Sequence, residues 1–473
     1  MNSSMKDKVM ARAIAKEVAD RGGRTFYVGG YVRDEILGKK SKDIDIEVHG
    51  ITPDELKEVL IDLGRLRTQG ASFGVYNLDG YDIDIAQPRK ESATGRGHKD
   101  FEVNVDPFIG CEEAAKRRDF TMNAMMKDVL TGEIVDPFGG VQDCENGVIR
   151  HVNDDTFKED SLRVLRAAQF ASRFGFEIAP ETKEIMSCMD LSALSQERVY
   201  GELQKALMKS DKPSVFFETL RETNQLDTWF PELKAMIGCE QNPIWHPEGD
   251  VWNHTMRTLD AAVKYRQHVE QPEYYMVSVL CHDMGKPLSV SIDDNGCIHT
   301  YRHDEKGVPV ATEFLARLNN DKSLTKYTLD MVEKHMTPHN CFDSNSRIKS
   351  TNAMYDRSIC PNDLMYLAVA DTASRGDETI KNQEYAYLQE RLLKYQDRMK
   401  QPEVGGADLI KLGIKPGPHF SSILENAHKQ HLSGVDKDKV LQGIETTYKK
   451  QVAKAERAAM FNNSAKGVKE FGE

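Results

Sequence analysis

The chain has 473 residues, 39% hydrophobic and 29% charged, enough for roughly two to four domains with buried cores and unlike an extended disordered chain. Its 63 Lys and Arg against 75 Asp and Glu give a formal net charge of -12, which is not the balance of a nucleic-acid binder, so RNA contact requires a local basic face. The polar start MNSSMKDKVM, the lack of any apolar run of roughly 18 residues, and eight scattered cysteines without a CxxC pair predict a cytoplasmic chain with reduced thiols, no secretory signal and no membrane partner.

Residues 5–22 are expected to form an amphipathic helix carrying Val9, Ile14 and Val18. The next stretch, TFYVGGYVRDEILGKKSKDIDIEVHG (25–50), reads as strand, glycine turn, short helix and second strand. In that second strand Ile44, Ile46 and Val48 alternate with Asp43, Asp45 and Glu47, so the acids share one face. Two positions along a strand span about 6.6 Å, which makes Asp43 and Asp45 neighbours pointing the same way. Adjacent like-charged carboxylates are costly, and a divalent cation neutralises them best. Gly29 and Gly30 let backbone N–H groups approach a phosphate, with Arg33 nearby as a cationic clamp. A carboxylate pair beside a phosphate cradle points to metal-dependent nucleotidyl transfer. GGxVRD followed by DxD resembles motif A of the class II tRNA nucleotidyltransferase and bacterial poly(A) polymerase family, within the polymerase-beta-like superfamily.

Thr52 and Pro53 then open an expected helix, TPDELKEVLIDLG. GASFGVYNLDGYDIDIAQPRK reads as a hairpin-like pair of strands in which Asp82 and Asp84 share a face. A two-metal site requires a third carboxylate on a neighbouring strand; aligning the family through the downstream Arg89 favours Asp84. ESATGRGHKDF resembles the flexible loop that the family places between motifs A and B. KRRDFTMNAM matches motif B, which implies that Arg117 and Arg118 meet phosphates, Asp119 accepts from a ribose hydroxyl and Asn123 supports the turn. DPFGGVQDCENGVIR resembles motif C, with Asp136 and Gly139–Gly140 in a supporting role.

In DDTFKEDSLRVLRAAQFASRFGF, Thr156 and Glu159 fit a capping box, and Asp160 and Arg163 fall three apart on one expected helix face. Cytosine and adenine both present an exocyclic amine beside a ring-nitrogen acceptor. A fixed Asp accepts from the amine and a fixed Arg donates to the nitrogen, whereas uracil and guanine leave polar groups unpaired at about 1–3 kcal/mol each. EDSLR resembles motif D, EDxxR, which implies that Asp160 and Arg163 read the incoming base and admit CTP and ATP. ERVYGELQKAL, with Arg198 and Glu202, resembles motif E and is assigned to bracing.

HPEGDVWNHTMRTLD, LCHDMGKP, YRHDEKG, VEKHM and AVADTASRG follow in order. His and Asp are ligands for first-row metals, and adjacent His-Asp offers both side chains to a metal pair. The set His254, His282, Asp283, His303, His335 and Asp371 resembles the HD phosphohydrolase superfamily, including the two middle histidines of binuclear variants. Lys286 is placed to meet a substrate phosphate, His246 is a weaker candidate, and His299 competes with His303. The tail, GGADLIKLGIKPGPHFSSILENAHKQHLSG, reads as two helices broken by KPGP, for tRNA docking or for structure alone, followed by a mixed-charge helix and a frayed end.

An HD domain behind a class II head resembles the gammaproteobacterial type of CCA-adding enzyme. The resemblance implies an α+β chain: a polymerase-beta-like nucleotidyltransferase head with a small mixed β-sheet (1–150), an all-α neck (151–230), an HD domain (231–400) and a helical tail (401–473). It implies addition of 3′-CCA to the tRNA 3′ end from CTP and ATP, with Mg2+ at Asp43, Asp45 and Asp84. At the HD domain it implies a divalent transition metal (Mn, Ni, Fe or Co) or Mg2+, and phosphodiesterase or phosphatase activity such as trimming 2′,3′-cyclic phosphate. A poly(A) polymerase is the first rival, although RTQGASFGV stands where those enzymes carry a basic GRRFR-like stretch. CC-only or A-only addition stays open too. An HD hydrolase with an RNA-binding, inactive head is the rival from another class.

Overall fold

The computed structural model describes residues 3–41, 43–67, 75–93 and 101–450. Their contacts gather into two compact units, residues 1–238 with 313–320 and residues 239–312 with 321–473.

The first unit opens with α1 (Ser3–Asp20). It buries Met10, Ala11, Ile14, Ala15 and Val18, while Val9, expected on the apolar face, is exposed. The stripe 10, 11, 14, 15, 18 is the i, i+3, i+4 pattern of a helix lying on a core, and Val9 falls about 100° outside it. Next come β1 (Arg24–Val28), α2 (Gly30–Ile36), β2 (Ile44–His49) and α3 (Pro53–Leu63). Thr52 caps α3 in a complete capping box with Glu55. The head continues with β3 (Leu66–Arg67), β4 (Val75–Leu78), β5 (Ile83–Ala86), β6 (Arg89–Ala93), β7 (Phe101–Val105), α4 (Cys111–Lys116), β8 (Met126–Asp128), β9 (Ile134–Val135) and α5 (Gly140–Asn146).

Seven strands form the expected small mixed sheet, in the order β3-β4-β5-β2-β1-β8-β9. Only β2 and β5 run parallel within it. Ile44, Ile46, Val48, Ile83 and Ile85 are buried, so their period-2 alternation leaves the aspartates on the other face. β6 and β7 pair separately. Residues 91–93 and 101 of the loop expected between motifs A and B are therefore strand, and 94–100 lie outside the described residues, as do 68–74 of RTQGASFGV. Gly140 starts α5 where a Cβ would meet the Thr121 carbonyl oxygen at 2.2 Å, and Asp136 accepts from the Gly140 and Val141 N–H groups.

β10 (Val148–Ile149) pairs in parallel with β11 (Glu177–Ile178). Otherwise the segment is helical: α6 (Asp154–Lys158), α7 (Leu162–Phe174), α8 (Pro180–Ser187), α9 (Gln196–Lys209), α10 (Ser214–Glu222) and α11 (Pro231–Lys234). α7 packs on both α9 and α10. The expected Thr156–Glu159 capping box is absent. Asn153 is the N-cap instead, accepting from the Asp155 and Thr156 N–H groups, and α6 ends before Glu159. Asp160 thus stands in the joint between two helices, not one turn below Arg163 on a shared helix face; its carboxylate accepts the Leu162 N–H.

The second unit contains α12 (Val251–Ala262), α13 (Pro272–Cys281), the hairpin β12 (Val290–Ile292) and β13 (Ile298–Thr300), the part of α14 (His303–Leu318) before residue 313, α15 (Lys322–Lys334), α16 (Met336–Asp343), α17 (Ile348–Arg357), α18 (Pro361–Ser374) and α19 (Glu378–Met399). α12 packs on α18 and α13, and α13 on α15. The tail gives α20 (Gly406–Lys411) and α21 (Pro418–Leu432) on either side of KPGP, over a small core of Val404, Leu409, Ile414, Ala427 and Val440. Residues 451–473, with most of the expected last helix and end, lie outside the described residues. Among the described residues no helix is long and apolar enough to cross a membrane.

Candidate functional site

In the head, the parallel register of β2 and β5 sets Asp45 directly beside Asp84. Asp43 precedes β2 by one residue and is exposed. Burial raises the Asp45 carboxyl above its usual range, the Asp84 charge raises it further, and Arg118 partly offsets both. Among the described residues the three carboxylates do not close to within 4.8 Å of one another; like charges disfavour closer approach, and a cation would draw them in. Gly29 adopts φ 62, and a Cβ there would lie 3.6 Å from Arg118 Nη1 and 3.9 Å from Asp45 Oδ2. The left-handed turn therefore brings bare backbone up to the carboxylate.

Two cavities meet at this point. One, of about 350 Å³, is lined by Asp84, Arg89, Arg117 and Arg163. The other, of about 310 Å³, is lined by Gly29, Gly30, Arg33, Asn123, Lys205 and Lys209. Asp45 and Arg118 border both.

A hydrogen-bonded chain holds the walls. Arg118 Nη2 donates to Glu47 Oε2 at 3.0 Å, and buried Glu47 also meets His49 Nε2 at 2.9 Å. Arg33 is buried, donates to Asp34 and to Asn123 Oδ1 (2.8 Å), and lies over the Phe174 ring. Asn123 Nδ2 donates to Asp119 Oδ1 (2.9 Å), whose other oxygen accepts from Arg166 Nε (2.8 Å). Burial alone would raise the Asp119 carboxyl, but Arg166 and Asn123 hold it below the usual range. Arg163 donates to the carbonyls of Thr156 (2.5 Å) and Arg117 (2.9 Å). Arg198 Nη2 spans both Asp160 oxygens at 3.0 and 2.7 Å.

In the second unit His254 projects from α12, His282 and Asp283 from the end of α13, His303 from the start of α14, His335 from the junction of α15 and α16, and Asp371 from α18. All six are buried. Asp283 Oδ2 lies 3.3 Å from His254 Nε2 and 3.2 Å from His282 Nε2. Its Oδ1 lies 3.4 Å from His303 Nε2 and 3.7 Å from His335 Nε2. One carboxylate thus stands between two histidine pairs, and Asp371 Oδ1 borders the first pair, 3.1 Å from His254 Nε2.

The rings' outer nitrogens determine what the inner ones can do. Nδ1 of His282, His303 and His335 faces the carbonyls of Val279 (2.7 Å), Thr300 (2.8 Å) and Val332 (2.6 Å). Nδ1 of His254 faces Glu248 Oε1 at 2.6 Å. In the neutral ring each Nδ1 carries the proton and donates, which leaves Nε2 able to take a cation; in the absence of one, burial opposes the charged form of His282 but the Asp283 charge pushes that imidazole up. Burial pushes the His303 imidazole down to about 4, so it stays neutral. Inward lone pairs around a carboxylate repel one another unless a cation joins them. Two sets, His254–His282–Asp283 and Asp283–His303–His335, have ligand atoms within 4.8 Å. These residues fit a metal pair.

A model described as the poly A polymerase head domain matches residues 25–150, a probable RNA and SrmB-binding site of polymerase A matches 175–237, and an HD domain matches 251–376. A multifunctional CCA protein of Actinobacillus pleuropneumoniae serotype 5b (strain L20) is 32% identical over 424 residues, covering 87% of this chain and 98% of its own. The chain belongs to the multifunctional CCA protein family. Its fold is shared with the Thermotoga maritima CCA-adding enzyme complexed with tRNA (TM-score 0.63, 20% identity, 93% and 95% of the two chains). It is also shared with the Bacillus stearothermophilus CCA-adding enzyme in complex with CTP (TM-score 0.64, 21% identity, 95% and 100%).

In this member of the multifunctional CCA protein family, several contacts lay beyond motif reading. Glu47 on Arg118, Arg166 on Asp119 and Arg198 on Asp160 are supports of the head site; the 163–166 spacing on α7 was the only signal for Arg166. At the histidine cluster, Glu248 and His339 were missed, the latter meeting Asp371 Oδ2 at 2.9 Å and Glu384 at 2.7 Å. Lys286 is buried and bonded to Asp283 (2.7 Å) and Gln241 (2.6 Å). His246 meets Glu248 at 2.9 Å. His299 pairs with Asp293 on the β12–β13 hairpin, and it is His303 that reaches the centre.

Gly285 makes the His-Asp turn possible. A Cβ there would meet the His303 carbonyl oxygen at 2.0 Å and Gly307 N at 2.5 Å. Gly285→Ala is expected to destabilise the fold by about 1–3 kcal/mol, since backbone cannot yield as a side chain does. It should also weaken divalent-metal binding by displacing His303. Urea denaturation and a Co2+ titration check both, and wild-type values would refute the tight packing.

Proposed function

We propose that this chain adds or repairs the 3′-CCA end of tRNA from CTP and ATP, without a template, and that its HD domain is a second, phosphohydrolase centre. The observation that carries the first reading is the Asp45–Asp84 pair at the junction of two cavities that share Asp45 and Arg118. The residues proposed for the nucleotide line both cavities, Gly29, Gly30 and Arg33 the one and Arg117 and Arg163 the other.

Asp43, Asp45 and Asp84 would hold Mg2+. When bound, it supplies charge neutralisation for the triphosphate and a lower pKa for the attacking 3′-hydroxyl. The chain's own residues do the rest. Gly29 and Gly30 offer backbone N–H groups, and Arg33, Arg117 and Arg118 offer cations, to the phosphates. Asp119, kept ionised by Arg166, accepts from the ribose, and Asn123 links Asp119 to Arg33. Asp160 and Arg163 read the base edge. The tRNA substrate and the eight free cysteines support a cytoplasmic site of action.

Arg198 holds Asp160 and so serves selection without touching the base. Arg198→Met is expected to reduce discrimination of CTP and ATP against UTP and GTP by about 1–3 kcal/mol, or roughly 5- to 150-fold. The ratio of kcat/KM values for the four nucleotides measures it; an unchanged ratio removes Arg198 from selection.

At the HD centre His254, His282, Asp283 and Asp371 would hold one ion, and His303, His335 and the shared Asp283 a second, a transition metal (Mn, Ni, Fe or Co) or Mg2+. Bound there, the pair supplies a polarised phosphate oxygen and an activated water. Trimming of a 2′,3′-cyclic phosphate from a tRNA end is the activity proposed.

The test is incorporation of each labelled nucleotide, with Mg2+, into tRNA transcripts lacking CCA, CA or only the final A. CTP on the first two and ATP on the third, followed by a stop, is expected. Long A runs without CTP use would make it a poly(A) polymerase, CTP or ATP use alone a CC- or A-only enzyme, and no incorporation an HD hydrolase with a binding head.

A further inference from the structure

We propose that Glu248 is a positioning residue that makes the two ion sites of the HD centre unequal, tightening the ion held by His254 over the ion held by His303 and His335. The inference rests on the reading of that centre given above.

It starts from a contrast among four otherwise similar imidazoles. Three of them, His282, His303 and His335, place Nδ1 on a backbone carbonyl. His254 alone places Nδ1 on a carboxylate, at 2.6 Å. A carbonyl contributes a dipole, whereas a carboxylate contributes a full negative charge through the ring. That charge raises the basicity of Nε2 and its attraction for a cation.

Burial makes the effect strong. The side chains of Glu248 and His254 are both 0% exposed, so little water screens the charge. Glu248 Oε1 is held from its other side by His246 Nδ1 at 2.9 Å, and Oε2 has no hydrogen-bond partner among the described residues. Ser374 Oγ also lies 3.0 Å from His254 Nδ1, but its own proton goes to the Asp371 carbonyl. It can therefore accept from the ring without replacing the charge.

His246, Glu248 and His254 also have ligand atoms within 4.8 Å, so a third ion is the competing use of Glu248. The geometry disfavours it. His254 Nε2 already faces Asp283 and Asp371, and a metal on Nδ1 as well would require an imidazolate. Glu248 therefore acts through His254 and not on an ion.

The test uses the full chain with Mg2+ in excess to occupy the head carboxylates, titrated with Co2+ and followed by visible absorption and bound cobalt. The wild type is expected to show two affinities, and His303→Ala to delete the weaker. Glu248→Gln keeps an acceptor and removes the charge; it should weaken the tighter ion about 10-fold, and Glu248→Ala about 100-fold, with the weaker ion unaffected. Both variants should keep wild-type CTP incorporation into tRNA. Wild-type affinities in both variants would overturn the proposal. So would equal weakening of both ions or loss of incorporation, which would mark a merely structural role. A wild type that binds no cobalt would instead overturn the metal centre, and this proposal with it.

Discussion

Asp45→Ala is expected to lower CTP incorporation into tRNA lacking CCA by about 10³-fold or more while leaving Co2+ binding at the HD centre unchanged. A metal ligand acts on charge that develops in the transition state, where its loss removes several kcal/mol. Asp45 is the strand residue that faces Asp84 and borders both cavities, so no neighbour can take its place. The same substitution should not weaken the metal-free fold. Because burial and Asp84 raise the Asp45 carboxyl in the folded state, the fold prefers it protonated. That contribution is present below the unfolded pKa and is lost as pH climbs through the raised folded value. At neutral pH the ionised group costs stability, and removing it should hold or raise the metal-free melting temperature. Full incorporation by Asp45→Ala would end the polymerase reading of the head.

Asp283→Asn is expected to abolish both Co2+ sites and the phosphohydrolase activity together, with CTP and ATP incorporation at the wild-type level. One carboxylate serves both histidine pairs, at 3.2–3.3 Å on Oδ2 and 3.4–3.7 Å on Oδ1. Its charge also compensates buried Lys286, 2.7 Å away. Burial opposes ionisation of Asp283, yet the charges of His282 and Lys286 hold it well below the usual range. Leaving Lys286 without that partner should cost about 3–5 kcal/mol, the range for breaking a buried ion pair from one side. Urea denaturation without metal measures the cost, and cobalt stoichiometry measures the sites. Retention of one tight ion would show that Asp283 does not bridge.

The two centres differ in how they are written into the chain. DIDIEV and YDIDIA announce themselves because a strand has period 2, so each run of six residues carries both the buried isoleucines and the acids opposite them. The histidine set is legible for another reason: its His and Asp residues follow in the order of the HD superfamily that the segment resembles. Supports are a different matter. Arg198 is 38 residues from Asp160, Arg166 is 47 from Asp119, and His339 is 45 from Glu384. No local periodicity links such pairs. Local reading also misplaced the start of α6, because Asn153 and Thr156 are both good caps and only packing chose between them.

By itself, then, the sequence determined the elements whose signal is short-range: the alternating strands, the Thr52 cap and the order of the histidines. Tertiary structure decided what depends on neighbours distant along the chain. It chose the parallel register that puts Asp84 beside Asp45, the joint that hands Asp160 to Arg198, and the rotation that turns every Nε2 toward Asp283. Hydrogen bonds and registers are made in space, and a one-dimensional pattern carries only the part of that geometry lying within a turn or two of itself.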